Sequence, residues 1–109
     1  QTPSDLFIIE KGQHIRVAID DIIYAEVFNR QICLHCLDGE HKYYGKVEEL
    51  EKTVGKNFYR SHRSFLLNLR YVTGYSGREI TMKEGSVILS KKKYSDFVRT
   101  YMAYLKGEL

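Results

Sequence analysis

The densest run of chemically capable side chains in this 109-residue chain is Phe58-Tyr59-Arg60-Ser61-His62-Arg63-Ser64-Phe65-Leu66-Leu67-Asn68. Between apolar anchors it places the guanidiniums of Arg60 and Arg63, the imidazole of His62 and the hydroxyls of Ser61 and Ser64. An arginine offers a planar fork that can grip guanine O6 and N7 together, or a phosphate. A serine hydroxyl makes short contacts to phosphate oxygens, which fix register without reading sequence. Standing alone, the run also admits the blander reading of a polar strand end whose arginines lie in water.

A second cluster is Leu89-Ser90-Lys91-Lys92-Lys93-Tyr94, where an apolar strand ends and three lysines precede a helix. Lysines at a helix start oppose the helix dipole unless an anion sits nearby, which favours a phosphate partner over a plain solvated charge run. A third is Phe28-Asn29-Arg30-Gln31, a turn whose side chains are also base-reading types, amide for adenine and guanidinium for guanine. Asn in a turn needs no functional explanation by itself.

Enzyme chemistry finds no support. There is no glycine-rich phosphate loop, no G-x-S-x-G and no paired-histidine metal motif. Glu48, Glu49 and Glu51 lie on one short helix as its solvated face, and the adjacent Asp20 and Asp21 point in different directions. His14, His35, His41 and His62 are scattered without ligand spacing. Cys33 and Cys36 form a C-x-x-C, but in an extended segment residues three apart point to opposite faces, so one metal or one disulfide could not easily collect both. They are expected to be small apolar filler in a reducing cytoplasm. No catalytic residue, metal or cofactor is expected.

Hydrophobic residues make up 43% of the chain and charged residues 28%, enough to bury a core. The net charge of +3 is mild, but it is unevenly spread: residues 1–59 hold seven Lys/Arg against ten Asp/Glu, and residues 60–109 hold ten against four. A basic C-terminal half is the footprint of a polyanion-binding face. No apolar run approaches the ~20 residues of a membrane span. A soluble, cytoplasmic chain without membrane contact is expected, with residues 1–5 a linker stub and 6–109 a single domain.

The elements that must position these segments are mostly strands. Leu6–Ile9 and His14–Ile19 read as an opening hairpin, and Ile22–Phe28, Gln31–Leu37 and His41–Tyr44 as further strands separated by Asn29-Arg30 and Asp38-Gly39. Val47, Leu50 and Val54 mark a short helix near 46–54. Phe58–Arg60 resumes an extended chain that Phe65–Leu69 continues, and 79–82 with 87–89 form a last hairpin. Tyr94, Phe97, Val98, Tyr101, Met102 and Leu105 predict an amphipathic C-terminal helix near 94–106. The fold class is mainly β, in small stacked antiparallel sheets.

At these segments the chain resembles the LytTR family of DNA-binding domains found in response regulators. Ile22-Ile23-Tyr24-Ala25-Glu26 is similar to the family's strand ending in glutamate, the 58–68 block to its most recognisable element, and Val87-Ile88-Leu89-Ser90-Lys91-Lys92-Lys93-Tyr94 to its closing apolar-Ser-basic-basic-aromatic run. The resemblance implies sequence-specific binding of double-stranded DNA by loops in successive major grooves. It implies Asn29 or Arg30, Arg63 and Lys92 as base readers, and Gln31, Arg60, His62, Ser64, Ser90, Lys91 and Lys93 on the DNA backbone. Lys92 stands where the family commonly has arginine, and lysine cannot make the same planar fork. Further implications are a covalently linked receiver domain in a phosphorelay, promoter repeats as the target, and pairs of molecules on DNA. Rival readings are a dimerisation or protein-interaction module working through the last helix, and non-specific nucleic-acid binding by exposed aromatics.

Overall fold

Strand runs end where the chain can reverse, and the reversals set the architecture. The computed structural model describes residues 3–109. Gln1 and Thr2 of the expected linker lie outside the described residues, and Asp5 already pairs with Ala18. Strands β1 (Asp5–Glu10) and β2 (Gln13–Ala18) form the first hairpin. A 3-10 turn over Ile19–Asp21 leads to β3 (Ile22–Phe28), followed by β4 (Gln31–Cys36) and β5 (Gly39–Tyr44).

Helix α1 (Val47–Val54) precedes β6 (Phe58–His62) and β7 (Phe65–Asn68). A second 3-10 turn, Leu69–Tyr71, leads into β8 (Val72–Ser76), β9 (Glu79–Met82), β10 (Ser86–Ile88) and helix α2 (Tyr94–Leu105). The mainly β class and both helices match the sequence reading, the helices to within a residue at each end. One expectation fails: 58–68 is not a continuous extended run. It folds back at Arg63-Ser64 into an antiparallel hairpin, with Phe58 opposite Asn68 and His62 opposite Phe65.

The centre is a five-stranded antiparallel sheet in the order β5-β4-β3-β7-β6. The β1-β2 hairpin and α1 pack on one face, burying Ile8, Val17, Val47, Leu50 and Val54 against Ala25, Ile32, Leu34 and Leu66. The three-stranded sheet β10-β9-β8 and α2 pack on the other, with Ile80, Val87, Leu89 and Phe97 against Ile23, Tyr59 and Leu67. Burial on both faces explains why neighbours such as Ile22-Ile23 and Leu66-Leu67 are all apolar: period two sends one to each core. Strand β4 alternates instead. Ile32, Leu34 and Cys36 enter the first core, whereas Gln31, Cys33 and His35 lie on a face that the small sheet and α2 leave open.

Asn68, 2% exposed, locks the centre: its side-chain N–H donates to Ile22 O at 2.9 Å, and its oxygen accepts from Arg70 N–H at 3.0 Å. Among the described residues no buried side-chain polar atom lacks a partner. On α2, Phe97 is fully buried with Val98, Tyr101 and Tyr104 packed beside it, so this part of the periodic stripe is core packing, whereas Tyr94, Met102 and Leu105 of the same stripe are exposed. Among the described residues no helix is long and apolar enough to cross a membrane.

Candidate nucleic-acid interface

Three basic turns meet at one end of the central sheet, and backbone hydrogen bonds fix them there. The Asn29-Arg30 turn joins β3 to β4, and the Arg63-Ser64 turn joins β6 to β7. Strands β3 and β7 are antiparallel neighbours, so the end of one lies beside the start of the other; Val27 N–H donates to Ser64 O at 2.9 Å. Ser90 N–H donates to Ser61 O at 2.7 Å, placing the Ser90–Lys93 segment beside the end of β6. Strand spacing is about 4.8 Å, so the first two turns stand roughly 10 Å apart and the lysine segment extends the row beyond β6.

Asn29 and Arg30 are exposed, with φ of 50° and 67°. Two consecutive positive φ values make a two-residue hairpin loop whose twist matches the flanking strands, a geometry that usually selects Asn-Gly. Asn tolerates it; arginine at the second position is strained. A glycine there would fold more easily, so the guanidinium is held at the tip against local preference.

Arg63 is exposed at the second tip, and the turn is built by its neighbours. The β6-β7 pairing shifts by one residue between Tyr59 and His62, a bulge that brings His62 to the face of its partner Phe65. The His62 ring packs on Phe65 at 6.0 Å, and its Nδ1 accepts from Ser64 N–H at 3.1 Å. Arg60 curls under the turn, donating to His62 O at 2.9 Å and to Arg63 O. Its guanidinium also meets Glu51 at 3.3 Å and Glu48 at 4.0 Å, so these α1 carboxylates do more than solvate a helix. Arg60 is therefore committed to shaping the turn, and its expected backbone contact on DNA conflicts with that commitment.

Ser61 departs furthest from the sequence reading. It is fully buried, with Oγ donating to Ile88 O at 2.8 Å, and no phosphate could reach it. It ties β6 to β10. At the third tip Lys91 and Lys92 are exposed. Lys93 is half-buried; its Nζ donates to Arg60 O at 2.6 Å and lies 5.6 Å from the centre of the Tyr59 ring. Like Arg60, it is engaged inside the protein. Ser90 is half-buried and its carbonyl accepts from Lys93 N–H at 3.0 Å.

Tyr59 extends this support to α2, donating to Asp96 Oδ2 at 2.8 Å. That bond holds the Asp96 carboxyl below the ordinary aspartate value, with Arg99 helping. Burial, followed by the Asp96 contact, pushes the Tyr59 phenol up.

Several exposed groups at this end escaped the sequence reading. Phe28 and Tyr44, each 77% exposed, flank exposed Gln31 in one cross-strand row. Most aromatics are core, as expected, but these two are not. Arg78 lies beside the third tip, its Nε 3.5 Å from Leu89 O, and Lys46 follows Gly45, whose N–H donates to Arg30 O. No motif marked Arg78 or Lys46, because only the pairing of distant strands brings them here.

The model of the LytTr DNA-binding domain family matches residues 12–102. Among solved structures, the chain is similar to the LytTr DNA-binding domain of a Bacillus cereus protein described as a methyl-accepting/DNA response regulator. That match has a TM-score of 0.74 at 20% identity, covering 92% of this chain and 97% of the other, and it speaks to the fold. No curated protein matches.

Proposed function

The chain belongs to the LytTr DNA-binding domain family, and from that membership we propose that its basic end recognises specific sequences in double-stranded DNA as the output domain of a two-component transcription regulator. Arg30 and Asn29, Arg63, and Lys92 read bases from the three tips. Gln31, Ser64, Ser90 and Lys91 hold the phosphates beside them, with His62, Arg60 and Lys93 shaping the tips from behind. Phe28 and Tyr44 supply apolar contact with sugars or thymine methyls. Catalysis has no part in this reading.

The observation that carries the proposal is the convergence of three basic turns, far apart in sequence, at one end of one sheet, with Arg63 exposed among them. Laid along the helix axis, a row of about 15 Å exceeds the ~12 Å width of a major groove. The outer tips then fall on opposite sides of a phosphate wall, in neighbouring grooves, and entry into successive major grooves requires their long side chains to cover the rest of the ~34 Å repeat. The linked receiver domain, its phosphorylation, and paired binding on promoter repeats belong to the same reading.

Selection of binding sites from random duplex DNA tests it. An enriched repeated motif is expected, and Arg63→Ala should weaken the selected site while flattening its preference over random duplex. A good base contact discriminates by about 1–3 kcal/mol. No enrichment, or equal loss on both DNAs, would refute base reading by Arg63.

A further inference from the structure

The open face of the central sheet carries a side-chain cluster that DNA binding does not use. Register places Glu26 opposite Cys33, and Tyr24 opposite His35, across β3 and β4. It places Cys33 opposite Lys42, and His35 opposite Glu40, across β4 and β5. The donor atoms of Cys33, His35 and Glu40 consequently lie within 4.8 Å of one another, although no two neighbours in the sequence announce it.

His35 orients the cluster. Its ring stacks on Tyr24, with centroids 4.2 Å apart and planes 19° from parallel, so its two nitrogens point in fixed directions. Nε2 is hydrogen-bonded to Glu26 Oε1 at 3.4 Å. Nδ1 faces Glu40 Oε2 at 3.3 Å. A neutral imidazole has one N–H, so once Glu26 receives it the Nδ1 lone pair confronts a carboxylate oxygen. A cation between them resolves that clash. The Cys33 sulfur beside the same gap adds nothing to a proton there, but it completes a soft-and-borderline donor set for a metal.

We propose that Cys33, His35 and Glu40 form a binding site for a divalent transition-metal ion of zinc's class. Sulfur at about 2.3 Å, imidazole nitrogen and carboxylate oxygen at about 2.0–2.2 Å suit tetrahedral zinc, with water in the fourth position. Small side-chain rotations close the present separations, because two of the three ligands stand on adjacent, paired strands. Glu26 serves as the outer carboxylate that fixes the ring and raises its basicity. The ion binds Cys33 as thiolate, and the thiol proton leaves to solvent. Lys42, the register partner of Cys33, is exposed, and its flexible stem lets the ammonium move away.

A second group, Cys36, Asp38 and His41, has the same donor types within the same separation. It is the poorer site. Cys36 is 4% exposed in the first core and burial pushes its thiol up to about 12, whereas Cys33 is only half-buried, although burial raises its thiol too. The two cysteines of the C-x-x-C thus face different surroundings, and only Cys33 is offered to an incoming ion.

The test uses the reduced, metal-stripped chain titrated with Co2+ and then Zn2+, with no DNA present. Thiolate-to-cobalt absorption reports Cys33 ligation, and competition with a chromophoric chelator gives the zinc affinity. Equimolar binding with the charge-transfer band is expected for the wild type and for His41→Gln. Cys33→Ser should abolish the band, and Cys33→Ser and His35→Gln should each weaken binding at least tenfold. Glu26→Gln should keep the band with binding about 10–100-fold weaker. Circular dichroism and melting check each fold; Glu40→Gln, on an exposed carboxylate, should also bind at least tenfold more weakly and serves if a Cys33 or His35 variant does not fold. A wild type without the band, unchanged binding in the ligand variants, or equal loss in His41→Gln overturns the proposal.

Discussion

Replacing Ser61 by alanine should weaken DNA binding although Ser61 cannot touch DNA. The hydroxyl is fully buried and donates to Ile88 O at 2.8 Å, joining the edge of the central sheet to β10 just before the lysine tip. The substitution removes one hydrogen bond and leaves a carbonyl without that donor. The expected cost is about 1–2 kcal/mol, since a lost bond is worth about 0.5–1.5 and an unsatisfied buried partner about 1–3. For a domain of this size that lowers the melting temperature by roughly 5–10 °C.

The remaining ties of the third tip, Ser90 N–H to Ser61 O and Lys93 Nζ to Arg60 O, stay in place, so the tip should loosen but not detach. Affinity for the selected duplex should fall severalfold, reaching about tenfold only if 1.4 kcal/mol of ordering is recovered on DNA. No phosphate contact is lost. The slope of log affinity against log salt should therefore match the wild type, whereas Lys91→Ala should reduce its magnitude by about 0.9. Thermal melting and fluorescence anisotropy across a salt series measure both effects. A Ser61→Ala protein with unchanged melting, or with undiminished affinity for the selected duplex, would refute the reasoning.

Arg30→Gly should raise stability by about 0.5–1 kcal/mol by relieving a positive-φ arginine, while lowering affinity for specific DNA. Chemical denaturation and binding on one preparation check the pair, and a destabilised variant would refute the strain. Lys93→Met should keep the packed stem but lose the bond to Arg60 O, so melting should fall while the salt slope stays near the wild-type value; the reverse pattern would place Lys93 on phosphate. Asp96, whose carboxyl is held below the ordinary 3.8 by Tyr59, contributes stability above that pH and loses it as pH falls through the depressed value. Melting temperature followed against pH should thus show a shallower acid decline in Asp96→Asn, and parallel curves would count against the contact.

The fold was largely legible because its signals are local. Alternation in His14–Ile19 and apolar, β-rich runs elsewhere gave the strands except β8, Asp38-Gly39 and Asn29-Arg30 gave the reversals, and the Val47, Leu50, Val54 and Phe97, Val98, Tyr101 spacings the helices. The hairpin inside 58–68 was missed because Arg63-Ser64 carries no glycine or asparagine. His62, through Ser64 N–H, and Arg60, through two carbonyls, build the turn that glycine would otherwise favour.

Residue type and order alone thus determined that the chain is mainly β and that its basic charge gathers in a few short segments. Tertiary structure decided what each basic or polar group does. Arg60 and Arg63 are the same residue type three positions apart, yet a bulge turns one into the scaffold and leaves the other free at the tip. Ser61 and Ser64 divide the same way, and Cys33 and His35 meet Glu40 only because β4 pairs with β5 in one register. The physical reason is common to all of them. Strand periodicity is written into neighbouring residues, whereas pairing register, bulges and the packing of one sheet on another are long-range choices that no short segment encodes.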